Sequence, residues 1–130
     1  MSSAEKSSIL VVEDNALNMK LIRAILAFGG HEILEAPDGE SAIELARSTR
    51  PDLILMDVQL PRMSGLEATE VLKGDPQTRD IPIVAMTAYA LRGDREKILE
   101  SGCDGYVSKP IDTRTLPGVL AEYLERGSAG

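Results

Sequence analysis

The stretch PDLILMDVQLP, residues 51–61, decides how the rest of the chain is read. Leu53, Ile54, Leu55 and Met56 are consecutive apolar residues, bounded by Pro51-Asp52 before them and Asp57 after them. A short uninterrupted apolar run between turn residues is the pattern of a strand buried on both faces, as in parallel α/β sheets. Asp57 then stands at the carboxyl end of that strand, the edge where open α/β sheets collect their ligands. Alone, Asp57 would read as no more than a polar strand end. Three other strand ends also carry groups suited to a cation or a phosphoryl oxygen: Glu13-Asp14, Thr87 and Lys109.

Outward from that strand, strand and helix patterns alternate five times. Residues 8–13 (SILVVE) form the first strand, and Asn15 opens a helix running to about Phe28. Its apolar stripe is Leu17, Leu21, Ile25 and Phe28, widened by Ile22 and Leu26 and read as core. Gly29-Gly30 stops this helix. Residues 31–36 are the second strand, and 41–49 the second helix, carrying Ala42, Ile43, Leu45 and Ala46. Ser64, with Glu67 three residues on, predicts a capping box opening the third helix, which runs to about Lys73. Residues 81–86 are the fourth strand. The fourth helix, about 91–101, has only Leu91, Ile98 and Leu99 as strongly apolar positions, and Gly93 lies near its start. A short fifth strand around 106–108 precedes a last helix opening at Asp112 or Thr113, with Pro117 tolerated in its first turn. Strands separated by single helices form right-handed βαβ units, so the expected fold is α/β: a doubly wound, five-stranded parallel sheet with helices on both faces.

The chain of 130 residues is long enough for one domain with a real core. The expected domain covers 8–126, with flexible termini at 1–7 and 127–130 and no output domain. No apolar run approaches the length of a bilayer span, and the N-terminus lacks the apolar centre of a signal peptide. One cysteine, Cys103, cannot form an internal disulfide and fits a reducing, cytoplasmic setting, where it reads as a small semi-buried side chain. The net charge of −7, without a Lys/Arg cluster, excludes the basic footprint that nucleic-acid binding needs. His31, at a strand start, is assigned no function.

In such a fold the carboxyl ends of strands one, three, four and five meet at one edge. That gathers Glu13, Asp14, Asp57, Thr87 and Lys109 into one pocket. Close carboxylates repel by about 4 kcal/mol per pair at an effective dielectric near 20. Such a site needs protonation or a cation, and oxygen ligands with no Cys or His nearby favour Mg²⁺ over zinc. Lys109 supplies positive charge beside Asp57, and Thr87 a hydroxyl donor. A carboxylate nucleophile, a divalent cation, a cationic clamp and a hydroxyl are the parts that phosphoryl transfer to an aspartate requires.

At these residues a resemblance becomes specific. VVEDN (11–15), PDLILMDVQLPRMSG (51–65), PIVAMTA (82–88) and YVSKP (106–110) resemble the receiver domain of bacterial two-component response regulators, over about 8–126. Within that family, EDNALNMKL (13–21), Gly93-Asp94, Gly102-Cys103 and SKPI (108–111) are similar to stand-alone, DivK-type regulators of cell division. The resemblance implies a CheY-like fold, Asp57 as phosphoacceptor, and Mg²⁺ held by Asp14, Asp57 and the backbone carbonyl of Gln59, with Glu13 acting through a metal-bound water. It implies Thr87 and Tyr106 as switch residues, Lys109 as the cationic partner, and Gln59, Ala88 and Tyr89 as residues that tune phosphoryl lifetime. It also implies a cis peptide at Lys109–Pro110. The implied partners are a histidine kinase or histidine phosphotransfer protein, docking on the first helix near Leu17, Asn18 and Leu21, and a downstream protein. That protein would contact a face of helix four, strand five and helix five on a monomer. The family often has Asp where this chain has Glu13; the longer side chain still reaches a metal-bound water.

Other readings use the same residues. An aspartyl phosphohydrolase usually carries a second Asp two residues after its nucleophile; Gln59 stands there, so no enzyme acting on external substrates is expected. A flavodoxin-like FMN carrier shares the fold class, yet Glu13-Asp14 would repel its phosphate. A receiver excised from a hybrid histidine kinase and a phosphorylation-independent adaptor remain the alternatives.

Overall fold

A computed structural model describes residues 7–88 and 92–129 of the chain. Tyr89 and Leu91, singled out above, lie outside the described residues, as does most of the N-terminal tail. The elements run β1 (Ser8–Val12), α1 (Ala16–Phe28), β2 (Glu32–Ala36), α2 (Gly39–Thr49), β3 (Leu53–Asp57), α3 (Gly65–Lys73), β4 (Ile83–Thr87), α4 (Arg92–Glu100), β5 (Gly105–Ser108) and α5 (Leu116–Ala129). The strands pair in the order β2-β1-β3-β4-β5, all parallel. Chain progression reverses between β1 and β3, so the crevice of this sheet opens at their carboxyl ends.

Alternation along the strands sorts the core into two layers. Leu10, Val12, Ile54, Met56, Ile83 and Ala85 face α2, α3 and α4, where they meet Ile43, Ala46, Leu72 and Ile98. Ile9, Val11, Leu53, Leu55, Val84 and Met86 face α1 and α5, where they meet Met19, Ile22, Leu26, Leu116 and Leu120. Every residue of β3 is buried, as its uninterrupted apolar run requires. Burying each such Leu or Ile contributes about 1.5–3 kcal/mol, so β3 alone anchors much of the fold.

Helix starts are set by side chains. Asn15 Oδ1 accepts from the Asn18 N–H at 3.0 Å, and Asp38 Oδ1 accepts from the Ser41 N–H at 2.8 Å. Ser64 and Glu67 form both bonds of the capping box, at 3.1 and 2.9 Å. Each satisfies a backbone donor that the first helical turn leaves without a partner.

Three expectations need correction. The buried face of α1 is Met19, Ile22 and Leu26, whereas Leu17 is 77% exposed and Phe28 97% exposed. This helix carries two apolar stripes, and helical spacing alone does not say which one the sheet covers. Leu99 of α4, read as apolar support, is 53% exposed, and Ile98 alone of that pair is buried. Finally, α5 opens at Leu116, because Asp112 Oδ1 accepts from the Arg114 N–H at 2.8 Å and closes a separate turn first. The same helix continues to Ala129. A glycine such as Gly127 costs a helix only about 1 kcal/mol relative to Ala, too little to end it at Arg126.

Gly65, the first residue of α3, is where the fold leaves no room. A Cβ there would overlap the carbonyl of Asp57 itself, while the Gly65 N–H donates to the Val58 carbonyl at 2.9 Å. Neither partner is a flexible side-chain end, so backbone must move. Gly65→Ala is therefore expected to lower unfolding stability by about 2–3 kcal/mol, the cost of overpacking, in a denaturant titration. An unchanged midpoint would refute this account of the β3–α3 connection.

Candidate functional site

The sheet delivers its polar residues to one edge. Asp57 is the last residue of β3 and Thr87 the last of β4; Glu13 and Asp14 follow β1 directly, and Lys109 follows β5. Backbone bonds hold these ends together. The Glu13 N–H donates to the Ala36 carbonyl at 3.1 Å, Val58 N–H to Met86 at 3.0 Å, and Lys109 N–H to Thr87 at 2.7 Å. The Lys109–Pro110 peptide is cis.

Glu13, Asp14 and Asp57 each bring a carboxylate oxygen within 4.8 Å of the others. Glu13 and Asp57 are buried, and Asp14 is exposed at the mouth. Lys109 Nζ sits between the two buried carboxylates, 3.0 Å from Glu13 Oε1 and 3.0 Å from Asp57 Oδ2. The Gln59 N–H donates to the other Asp57 oxygen at 3.1 Å, and the Asn15 N–H to Glu13 Oε2 at 3.2 Å. Glu13 thus ties Lys109 to the residue that caps α1. Its contact with Lys109 was not anticipated from the sequence; the extra methylene of Glu over Asp was the available signal.

Burial raises the Asp57 carboxyl to about 6, and neighbouring Glu13 adds to the rise, while Lys109 and the Gln59 N–H oppose it. Burial alone would lower Lys109, but its contacts with Glu13 and Asp57 outweigh this and hold its ammonium above the usual lysine range. One ammonium cannot neutralise three carboxylates, so the site keeps an excess of negative charge. Its oxygen donors, without Cys or His in the cluster, suit a hard divalent cation.

Thr87 is buried beside this cluster, and Ala88 lies exposed at the rim. Tyr106 is half-buried on β5, with Arg95 Cζ 5.8 Å from its ring centre. The sequence offered no sign of this contact, because residues eleven apart on α4 and β5 meet only once the helix packs. On the other flank, Arg62 Nη2 donates to Asp38 Oδ2 at 3.1 Å, and Arg62 holds a left-handed backbone with φ 64°. Cys103 is buried, burial pushes its thiol upward, and it packs as a small core side chain. Among the described residues no helix is long and apolar enough to cross a membrane.

Comparison with known proteins agrees with this geometry. Residues 9–121 match the response regulator receiver domain family. The polar-differentiation response regulator DivK of Brucella anthropi is 49% identical over 117 residues, covering 90% of this chain and 95% of that protein. Its counterpart in Brucella ovis is 48% identical over the same shares. Among solved structures, the receiver domain of a Pseudomonas aeruginosa sensor histidine kinase, with magnesium coordinated in its active-site cleft, superposes with a TM-score of 0.87. It is 37% identical and covers 93% of this chain and 99% of that one. Vibrio cholerae chemotaxis protein CheY4 superposes with a TM-score of 0.87 at 26% identity, covering 92% and 99%. The sheet order, the acidic cluster at its carboxyl edge and the length of the match lead to one conclusion: the chain belongs to the response regulator receiver domain family, and it is of the CheY-like, DivK-similar kind.

Proposed function

We propose that this protein is a response regulator receiver that accepts a phosphoryl group on Asp57 from a histidine kinase or a histidine phosphotransfer protein. The observation that carries the reading is the buried Asp57 carboxylate, 3.0 Å from Lys109 and clustered with Glu13 and Asp14. Asp14, Asp57 and the Gln59 carbonyl would hold Mg²⁺, with Glu13 reaching it through water; bound there, the ion supplies charge neutralisation for the incoming group. An Asp57 oxygen attacks phosphorus, a P–O bond forms, and the donor's P–N bond breaks. The histidine nitrogen leaves with the electron pair and takes a proton. Lys109 lies where it can pair with a phosphoryl oxygen, and Thr87 can offer its hydroxyl to another. Gln59 and Ala88, beside the Asp57 site, tune the lifetime of the acyl phosphate, and family resemblance assigns Tyr89 the same part. Phosphorylation adds charge and strong acceptors, which Thr87 and Tyr106 relay to the face of α4, β5 and α5. The protein catalyses no reaction on external substrates; its work is its own phosphorylation and dephosphorylation.

The donor docks on α1, where Leu17 and Leu21 are 77% and 38% exposed beside Asp14. The downstream partner is another protein, the receiver acts as a cytoplasmic monomer, and similarity to DivK supports a role in cell division.

Incubation with acetyl phosphate and Mg²⁺ is expected to add one phosphoryl group to the intact mass, and Asp57→Asn or removal of Mg²⁺ to abolish it. An adduct that survives in Asp57→Asn would place the chemistry elsewhere.

The raised Asp57 carboxyl fixes the sign of the pH dependence. The folded state binds this proton more tightly than the unfolded chain, so Asp57 favours folding at low pH. That contribution declines as pH rises from 3.8 to about 6 and is lost above it. Mg²⁺ competes with the same proton, so its apparent affinity should fall about tenfold per unit below that point and level off above it, as read by calorimetric titration. An affinity flat across this interval would show that Asp57 does not titrate there.

A further inference from the structure

Tyr106 is a half-buried aromatic. It lies on β5 in register with Ala85, two residues before Thr87 on β4, and packs on the core layer shared with α4. Among the described residues its hydroxyl makes no hydrogen bond, and because no buried side-chain oxygen is left without a partner, that hydroxyl reaches the surface. The Arg95 guanidinium lies over the ring, 5.8 Å from its centre.

Among the described residues the Arg95 guanidinium joins no ion pair and faces the Tyr106 ring. Glu96 and Glu100, one and five residues on, lie at spacings that do not face it on the helix. Arg95 lies about one turn before Ile98 on α4. Beyond it, Ile98 is buried and Ser101 Oγ donates to the Ile98 carbonyl at 2.6 Å. The segment just after the helix is stapled further. Asp104 Oδ2 accepts from Lys73 Nζ at 2.9 Å and from the Ile83 N–H at 2.8 Å, and its carbonyl accepts from the Tyr123 hydroxyl at 3.2 Å. One end of α4 is thus tied to α3, β4 and α5, and the Arg95–Tyr106 stack lies about one turn nearer the other end.

We propose that Arg95 is a positioning residue that holds the Tyr106 ring in its surface setting, and that this hold sets how readily the Asp57 site passes to the phosphorylated form. The inference rests on the reading of Tyr106 as a relay given above. A cation over an aromatic face is a modest interaction at an exposed site, enough to bias two ring positions by a few-fold. It is charge-dependent, and it disappears if the ring turns inward. Arg95 then favours the resting form, and weakening it lets the ring sample the inner position.

The test is a double-mutant cycle of Arg95→Gln and Tyr106→Leu, with Arg95→Lys as the conservative variant. Two readouts are taken: the χ1 couplings of selectively labelled Tyr106, and the phosphorylation rate with acetyl phosphate at saturating Mg²⁺. Arg95→Gln is expected to convert a single χ1 rotamer into an averaged one and to raise the rate about three-fold. Arg95→Lys should restore most of the single rotamer, and Arg95→Gln should have no further effect in the Tyr106→Leu background. A retained single rotamer in Arg95→Gln, or an equal rate change without the ring, would overturn the proposal. If the wild-type protein takes up no phosphoryl group, the proposed function fails, and the hold of Arg95 on the ring is still decided by the couplings.

Discussion

The structure is organised around a buried carboxylate that does not have enough positive charge beside it. Asp57 ends the central strand of the sheet, takes one ammonium contact at 3.0 Å, and shares that ammonium with Glu13. Removing a charge from water is costly, and a single partner offsets that cost only in part. The upward displacement of Asp57 is the direct sign of this imbalance. A divalent cation is the kind of group that would relieve it, and the oxygen donors of Glu13, Asp14 and Asp57 suit one.

That electrostatic tension is held in place by the least deformable part of the fold. Every residue of β3 is buried, and β1 and β4 flank it with wholly apolar interiors. The Asp57 carbonyl is pressed against the Gly65 backbone, and the Gln59 N–H fixes one carboxylate oxygen. A site on rigid strand ends keeps its charges close although they repel. The periphery is different: α4 has one deeply buried apolar anchor among its described residues, Ile98, and its Arg95 touches the ring of Tyr106. The chemistry thus sits on the buried strand ends, and the described part of α4 meets β5 through the Arg95 side chain.

Much of this was legible along the chain. An apolar run too short for a helix and bounded by Pro51 and Asp57 specifies a buried strand, because only a strand with both faces covered tolerates such a run. Ser64 and Glu67 specify a helix start, because their side chains satisfy donors that the first turn leaves open. Those are local or nearly local requirements, so sequence spacing alone determined them, and with them the five-fold βα order and the gathering of Glu13, Asp14, Asp57, Thr87 and Lys109 at one edge. Which stripe of α1 turns inward was not determined locally. Leu17, Leu21 and Phe28 satisfy helical spacing as well as Met19, Ile22 and Leu26 do, and the choice was made by the sheet and α5 that the helix packs against. The sharing of Lys109 between Glu13 and Asp57, and the seating of Arg95 on Tyr106, likewise join residues on different elements. Such contacts exist only once the elements are packed, since their energies depend on distance and burial in three dimensions rather than on position along the chain.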